Sequence, residues 1–150
     1  MVKIATIATI ILMQSGITPK SGIASQYALN MMERVVANRQ SWGQLPTDLS
    51  GVDGCIAVLS CDDIGQVWLV KPDGGKWEQF LVADCAGDTE TIEWMQVNNI
   101  LVEVDHDTAI RWDTVGKGIK VQVLTEDSVK EKMYRRHYEP LQSLWTGYDR

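Results

Sequence analysis

Two aspartates close apolar runs of this sequence, at points where a buried strand would reach the surface. Asp84 follows four apolar residues that begin at Phe80, and Cys85 comes directly after it. Asp105 closes a second run, which begins at Ile100. A carboxylate at the end of a strand can act as a general acid or base, so both aspartates are candidate catalytic residues.

The cysteines and histidines bear on a disulfide and on a metal site. Cys55, Cys61 and Cys85 permit one disulfide and leave one thiol over. A zinc site needs a fourth ligand at a characteristic spacing, and neither His106 nor His137 supplies it. We therefore expect no metal and no cofactor.

The charge of the chain limits its partners. Its 150 residues include 20 acidic and 14 basic side chains, which gives a net charge of -6. The phosphates of a nucleic acid would be repelled by this charge, and the only dense basic cluster is residues 130–137. We predict no nucleic-acid partner, and a chain of this length favours a single main domain.

The first 20 residues have the layout of a secretory signal. Lys3 is followed by apolar residues and threonines from Ile4 to Met13, and then by small and polar residues. This run is shorter than the roughly 20 residues of a membrane span, so we expect no stable span. The alternative is a first β-strand, because isoleucine and threonine are abundant. We predict a secreted or cell-envelope protein.

Hydrophobic periodicity divides the rest of the chain into an early helix and a set of short strands. Residues 27–40 place apolar side chains at helical spacing. Residues 15–25 read as a linker or an early strand. Strand-like runs rich in β-branched and aromatic residues occupy 55–61, 66–70, 77–85, 100–105 and 119–125.

Three shorter segments complete the prediction. Two short helices are expected at residues 89–97 and 107–112, with Asp107 as the cap of the second. Residues 126–150 begin with a capping-box pattern and continue as an apolar tail, expected to pack on the domain or on another copy. The predicted organisation is a leader at 1–20, a domain at 21–125 and a helical or extended tail at 126–150.

The order of these pieces resembles the double-psi β-barrel domains of the rare lipoprotein A, expansin and barwin group. The similar features extend over residues 21–124. They are a Gly-x-Ala-Ser-x-Tyr segment at 22–27, strands that end at Asp84 and at Asp105, a short helix reading Thr-Ala-Ile-Arg-Trp, and a last strand after Gly118. The resemblance implies a mainly β fold: a six-stranded double-psi β-barrel, here with an added N-terminal helix.

The resemblance also implies that Asp84 and Asp105 border one groove. A pair of carboxylates is what glycosidic-bond cleavage requires, and the group includes endoglucanases and peptidoglycan lytic transglycosylases. Expansins, in contrast, loosen polysaccharides without hydrolysing them. The Gly-Glu and Ala-Ala-His motifs of the lytic enzymes are missing here, so we expect non-hydrolytic binding or remodelling of cell-envelope polysaccharide. The alternatives are a glycan-cleaving enzyme and a structural protein of a virus or surface layer.

The remaining candidate residues concern contact with a sugar and the disulfide. Trp42, Tyr27 and His106 are candidates for contact with the polysaccharide, and Trp42 is the best stacking platform. A disulfide between Cys61 and Cys85 would staple the rim of the barrel, with Cys55–Cys61 as the alternative pairing.

Each aspartate also has a purely structural interpretation, and so do most of the tryptophans. Asp84 would hydrogen-bond loop amides, and Asp105 would cap a helical turn. Trp68, Trp77 and Trp94 are expected in the core because they lie in or beside apolar runs.

Overall fold

The computed structural model describes residues 16–128, 130 and 131. Most of the predicted leader and the predicted tail beyond residue 131 lie outside the described residues. Residues 126–128, at the start of the segment predicted to be helical, are helical. Of the helices in the described part of the chain, none combines the length and the apolar character that a membrane span requires.

Six strands form a closed barrel, which confirms the prediction of a mainly β, six-stranded fold. The strands are β1 Lys20–Gln26, β2 Gly54–Val58, β3 Val67–Pro72, β4 Glu78–Cys85, β5 Ile100–Val104 and β6 Ile119–Leu124. Around the barrel their order is β1, β5, β2, β4, β3 and β6. The pairs β1/β5 and β2/β4 are parallel, and the other four neighbouring pairs are antiparallel.

Alternation of side chains along the strands fills the barrel. Val121 and Val123 are buried on β6, whereas Lys120 and Gln122, which alternate with them, are exposed. This is expected because successive strand residues point to opposite faces. The barrel interior is lined by β-branched and aromatic residues that include Ile56, Val58, Val70, Phe80, Val82, Val102 and Val104. Full burial of each such side chain stabilises the fold by about 1.5–3 kcal/mol.

Within residues 16–125 three α-helices accompany the barrel strands. Helix α1, Met31–Ser41, starts later than predicted because Asn30 before it has a left-handed backbone conformation (φ 59°). Its buried side chains, Met32 and Val36, pack in a cluster with Leu81 and Ala83 of β4. Helix α1 therefore covers part of the outer face of the barrel.

Helix α2, Thr89–Val97, has the predicted bounds and is capped by Asp88. Helix α3, His106–Arg111, begins one residue before the predicted segment, and its cap is Asp105. The prediction that Asp107 caps this helix is wrong, because Asp107 lies inside the first turn.

The exposure of the tryptophans differs from the prediction at one position. Trp68 is buried and Trp77 is partly buried, as expected for core residues. Trp94, on the outer side of α2, leaves 46% of its surface exposed. The apolar run that suggested burial belongs to an amphipathic helix, and Met95, the next residue, is the one that faces the barrel.

One disulfide joins Cys61 to Cys85, the pairing favoured from the sequence over Cys55–Cys61. Cys61 opens a short 3₁₀ turn, Cys61–Asp63, and Cys85 is the last residue of β4. The bond fastens this turn to the end of the strand that carries Asp84. Cys55 is a buried free thiol.

Candidate functional site

A row of four paired residues crosses the outer face of the barrel. Ser25 of β1 pairs with Glu103 of β5, Glu103 pairs with Ala57 of β2, and Ala57 pairs with Asp84 of β4. We call these four residues the carboxylate row. Neighbouring strands lie about 4.8 Å apart, so the Cα atoms of the two acidic residues are separated by about 10 Å.

A register shift places Asp84 in the row. Between Ile56 and Ala57 the pairing of β2 with β4 slips by one residue, so the partner of Ala57 is Asp84 and not Ala83. Such bulges are common where a side chain is re-aimed near a site. Ala83 is fully buried under α1, and Asp84 emerges at the edge of the helix.

Both carboxylate oxygens of Asp84 have partners within the protein. The Tyr27 hydroxyl donates to Oδ2 at 2.6 Å, and the Arg39 guanidinium donates to Oδ1 at 2.8 Å. The side chains of Arg39 and Asp84 are only 18% and 17% exposed, so this ion pair is partly shielded from water. The bond to Asp84 and, above all, burial raise the pKa of Tyr27, which keeps its hydroxyl a donor.

Arg39 links the row to the loop that follows α1. Its guanidinium also donates to Gln44 at 2.8 Å. Its Nε is buried and has no hydrogen-bond partner among the described residues, a desolvation cost that offsets part of the ion pair's contribution. Trp42, three residues after Arg39, stands at the C-terminal end of the same helix with 66% of its surface exposed.

Glu103 is the acidic residue of this site that the sequence reasoning missed. Its side chain is half-buried, and the Ser25 hydroxyl donates to it at 3.5 Å. Burial raises the pKa of Glu103; the Ser25 bond opposes this shift and the charge of Asp84 adds to it. The signal was present in the run from Ile100 to Asp105, because Val102 and Val104 point inward and so place Glu103 outside.

Asp105 binds backbone amides, whereas Asp84 binds side chains. Its Oδ1 accepts a hydrogen bond from the Thr108 amide at 2.8 Å and caps α3. Its Oδ2 accepts one from the Cys55 amide at 2.6 Å and ties α3 to β2. No contact joins Asp105 to Asp84 in the described part of the chain. The structure thus gives Asp105 a capping role, with both of its carboxylate oxygens bonded to backbone amides.

The backbone at Gly54 makes room for Asp105. A Cβ atom at this position would lie 2.5 Å from Asp105 Oδ2 and 2.7 Å from Thr108 Oγ1. A Cβ atom at these distances would displace the Asp105 carboxylate, so glycine lets that carboxylate reach β2 without rearrangement.

His106 is held by the protein. Its Nδ1 is 3.0 Å from the Gln26 amide nitrogen, and its side chain is half-buried. Gln26 in turn accepts a hydrogen bond from the Gly116 amide at 3.3 Å. His106 therefore helps to fix the end of β1 against the loop before β6, and within the described residues it makes no hydrogen bond to the carboxylate row.

The donor atoms of the described residues form no group of three or more His, Cys, Asp or Glu side chains that could hold a metal ion. The carboxylate row offers hydrogen-bond donors and acceptors to a ligand. No protein-family model matches this chain, and neither does any curated protein. The geometry of the carboxylate row is therefore what supports a function.

Proposed function

We propose that this chain is an exported double-psi β-barrel protein that binds cell-envelope polysaccharide without cleaving it. The strand pairing supports the finer fold assignment. Two parallel pairs in a six-stranded barrel require crossover connections, as expected for a barrel with two psi-shaped crossings. The pairing is compatible with the similarity to the rare lipoprotein A, expansin and barwin group.

The observation that carries the non-hydrolytic proposal is that the carboxylates of the two predicted acids are hydrogen-bonded within the protein. All four carboxylate oxygens of Asp84 and Asp105 accept hydrogen bonds from the protein itself. A general acid or base must reach the reacting group of the substrate within hydrogen-bond distance. Carboxylates that are occupied in this way favour a structural or binding role over proton transfer.

The surface around Asp84 supports binding of a sugar. Ser25 and Glu103 supply a hydroxyl and a carboxyl, which suit the hydroxyl groups of a sugar. The exposed indole of Trp42 suits the apolar face of a sugar ring, because tryptophan offers a large flat surface with one polar atom. The largely buried Arg39–Asp84 pair ties the last turn of α1 to the row, and Trp42 is the residue that follows this helix.

Binding and cleavage are distinguished by incubating the protein with peptidoglycan, cellulose and chitin. We expect the protein to pellet with at least one of these solids without release of soluble sugar ends. Trp42→Ala and Glu103→Gln should each weaken pelleting about tenfold, a loss of about 1.4 kcal/mol. The matched controls are Trp94→Ala and Glu93→Gln, exposed changes on α2 that should leave pelleting unchanged. Failure to pellet with any solid would refute the proposal.

A second candidate function is glycan cleavage with Glu103 in place of Asp105 as proton donor. Burial raises the pKa of Glu103, and a raised pKa is the direction of shift that a general acid requires. This activity would be established if the wild type releases sugar ends, Glu103→Gln abolishes the release and Glu93→Gln leaves it unchanged.

A further inference from the structure

A second polar surface lies on the barrel away from the carboxylate row. It is a cleft of about 510 Å³ on the outer side of β3, β6 and β1. Its polar lining comprises Ser21, Lys71, Asp73, Asn99, Lys120 and Gln122. Ser21 precedes Ser25 on β1 by about 13 Å of strand, so the cleft lies toward the opposite end of the barrel from Asp84.

The strand register builds this cleft. Gln122 of β6 pairs with Lys71 of β3 on one side and with Ser21 of β1 on the other. Lys120 is on the same face of β6 as Gln122, since the residue between them is buried. The Lys120 carbonyl accepts a hydrogen bond from the Asp73 amide at 2.9 Å, which closes the β3–β4 turn over one end.

The two lysines of the cleft form no ion pair within the described part of the chain. Neither Lys71 nor Lys120 takes part in an ion pair among the described residues, and the side chain of Gln122 makes no hydrogen bond there. The lining includes two lysines and one acidic residue, Asp73, so its formal charge is positive in a chain of net charge -6. Lys71 is also only partly exposed. An anionic group would find complementary charge here.

We propose that this cleft is a subsite for a carboxylate-bearing sugar, an inference that rests on the proposed polysaccharide binding. The two lysines would form ion pairs with the sugar carboxylate. Hydrogen bonds to the sugar hydroxyls would come from the hydroxyl of Ser21 and the amides of Asn99 and Gln122. The cleft volume is within the range of about 300–1,000 Å³ for small-ligand sites. The protein would thereby prefer acidic over neutral glycans.

The test is a titration of the ¹⁵N-labelled full chain with tetragalacturonate, followed by nuclear magnetic resonance at low ionic strength, with chitotetraose as the neutral probe. We expect tetragalacturonate to shift the amide signals of Lys71, Asp73, Gly74 and residues 120–122. Lys71→Gln and Lys120→Gln should each weaken its binding about tenfold. Lys76→Gln is the matched control: it removes the same charge from an exposed lysine of the same β3–β4 turn, outside the cleft.

The possible outcomes separate this inference from the proposed function. Equal binding by wild type, Lys71→Gln and Lys120→Gln would overturn the subsite, and so would an equal loss in Lys76→Gln, which would indicate a general charge effect. If tetragalacturonate binding depends on Trp42 and Glu103 instead, the subsite is wrong while polysaccharide binding stands. If the lysines bind tetragalacturonate but the protein pellets with no polysaccharide, the subsite stands and the proposed function falls.

Discussion

Asp84 and Glu103 flank Ala57 in a single row of paired residues, and the charge of Asp84 acts on the half-buried carboxyl of Glu103. Asp84 lies on β4, the parallel neighbour of β2, and Glu103 lies on β5, the antiparallel neighbour of β2. Their environments differ: Asp84 is ion-paired to Arg39, whereas Glu103 accepts a hydrogen bond from the hydroxyl of Ser25 and has no cationic partner among the described residues.

Glu103 should make stability depend on pH. Its pKa in the folded protein is raised above the ordinary value of 4.5, so above pH 4.5 the folded state binds more protons than the unfolded state. Stability from this group is therefore full at low pH and is lost as pH rises through 4.5 toward the raised folded pKa. Glu103→Gln should melt higher than wild type at pH 7 and equally at pH 3, as measured by circular dichroism. An equal difference at both pH values would contradict this.

Arg39 and Asp84 should be energetically coupled. A hydrogen bond that involves a charged group contributes about 1.5–3 kcal/mol, and partial exposure of this pair reduces that figure. A double-mutant cycle of Arg39→Gln and Asp84→Asn, measured by urea unfolding, should give a coupling free energy of about 1–2 kcal/mol. Additive effects of the two substitutions would show that the ion pair does not stabilise the fold.

Asp105 should matter more for stability than Asp107, its neighbour in the same turn. Asp105→Ala removes a helix cap, which costs about 0.5–2 kcal/mol, and leaves the Cys55 amide without its partner, which costs about 1–3 kcal/mol more. Asp107→Ala removes an exposed side chain and should change the free energy of unfolding by less than about 0.5 kcal/mol. Urea unfolding of both variants measures the difference, and the reverse ranking would mean that Asp107 is the cap.

Loss of the disulfide should destabilise the barrel. The bond joins residues separated by 24 positions, and a loop of that length predicts a stabilisation of about 3 kcal/mol. The double variant Cys61→Ser with Cys85→Ser should show this loss in urea unfolding. A non-reducing peptide map must also contain the Cys61–Cys85 pair, and a linked pair that includes Cys55 would refute the assignment.

The thiol of Cys55 should be unreactive in the folded protein. Burial, with a smaller contribution from the charge of Asp105, raises its pKa to about 11, and the thiolate is the reactive form. A thiol reagent such as dithionitrobenzoate should therefore label no cysteine at pH 8 until denaturant is added, after which one thiol per chain reacts. Rapid labelling of Cys55 without denaturant would contradict its burial.

Local patterns predicted most of the elements of the barrel. The strand-like runs from Cys55 to Leu124 and the bounds of α2 were correct because alternation, turn residues and the Asp88 cap act over a few residues. The start of α1 was placed too early, because apolar spacing does not reveal the left-handed conformation of Asn30.

The sequence by itself indicated a set of short strands with Asp84 at the end of one of them, and its resemblance to a known family favoured a barrel and the Cys61–Cys85 pair. Only the tertiary structure decided that Asp84 shares a row with Glu103 and that Asp105 is a cap. Strand pairing is non-local, and one bulge between Ile56 and Ala57 selects which side chains share a row. A shift of one residue moves side chains between faces, so the membership of the site depends on register.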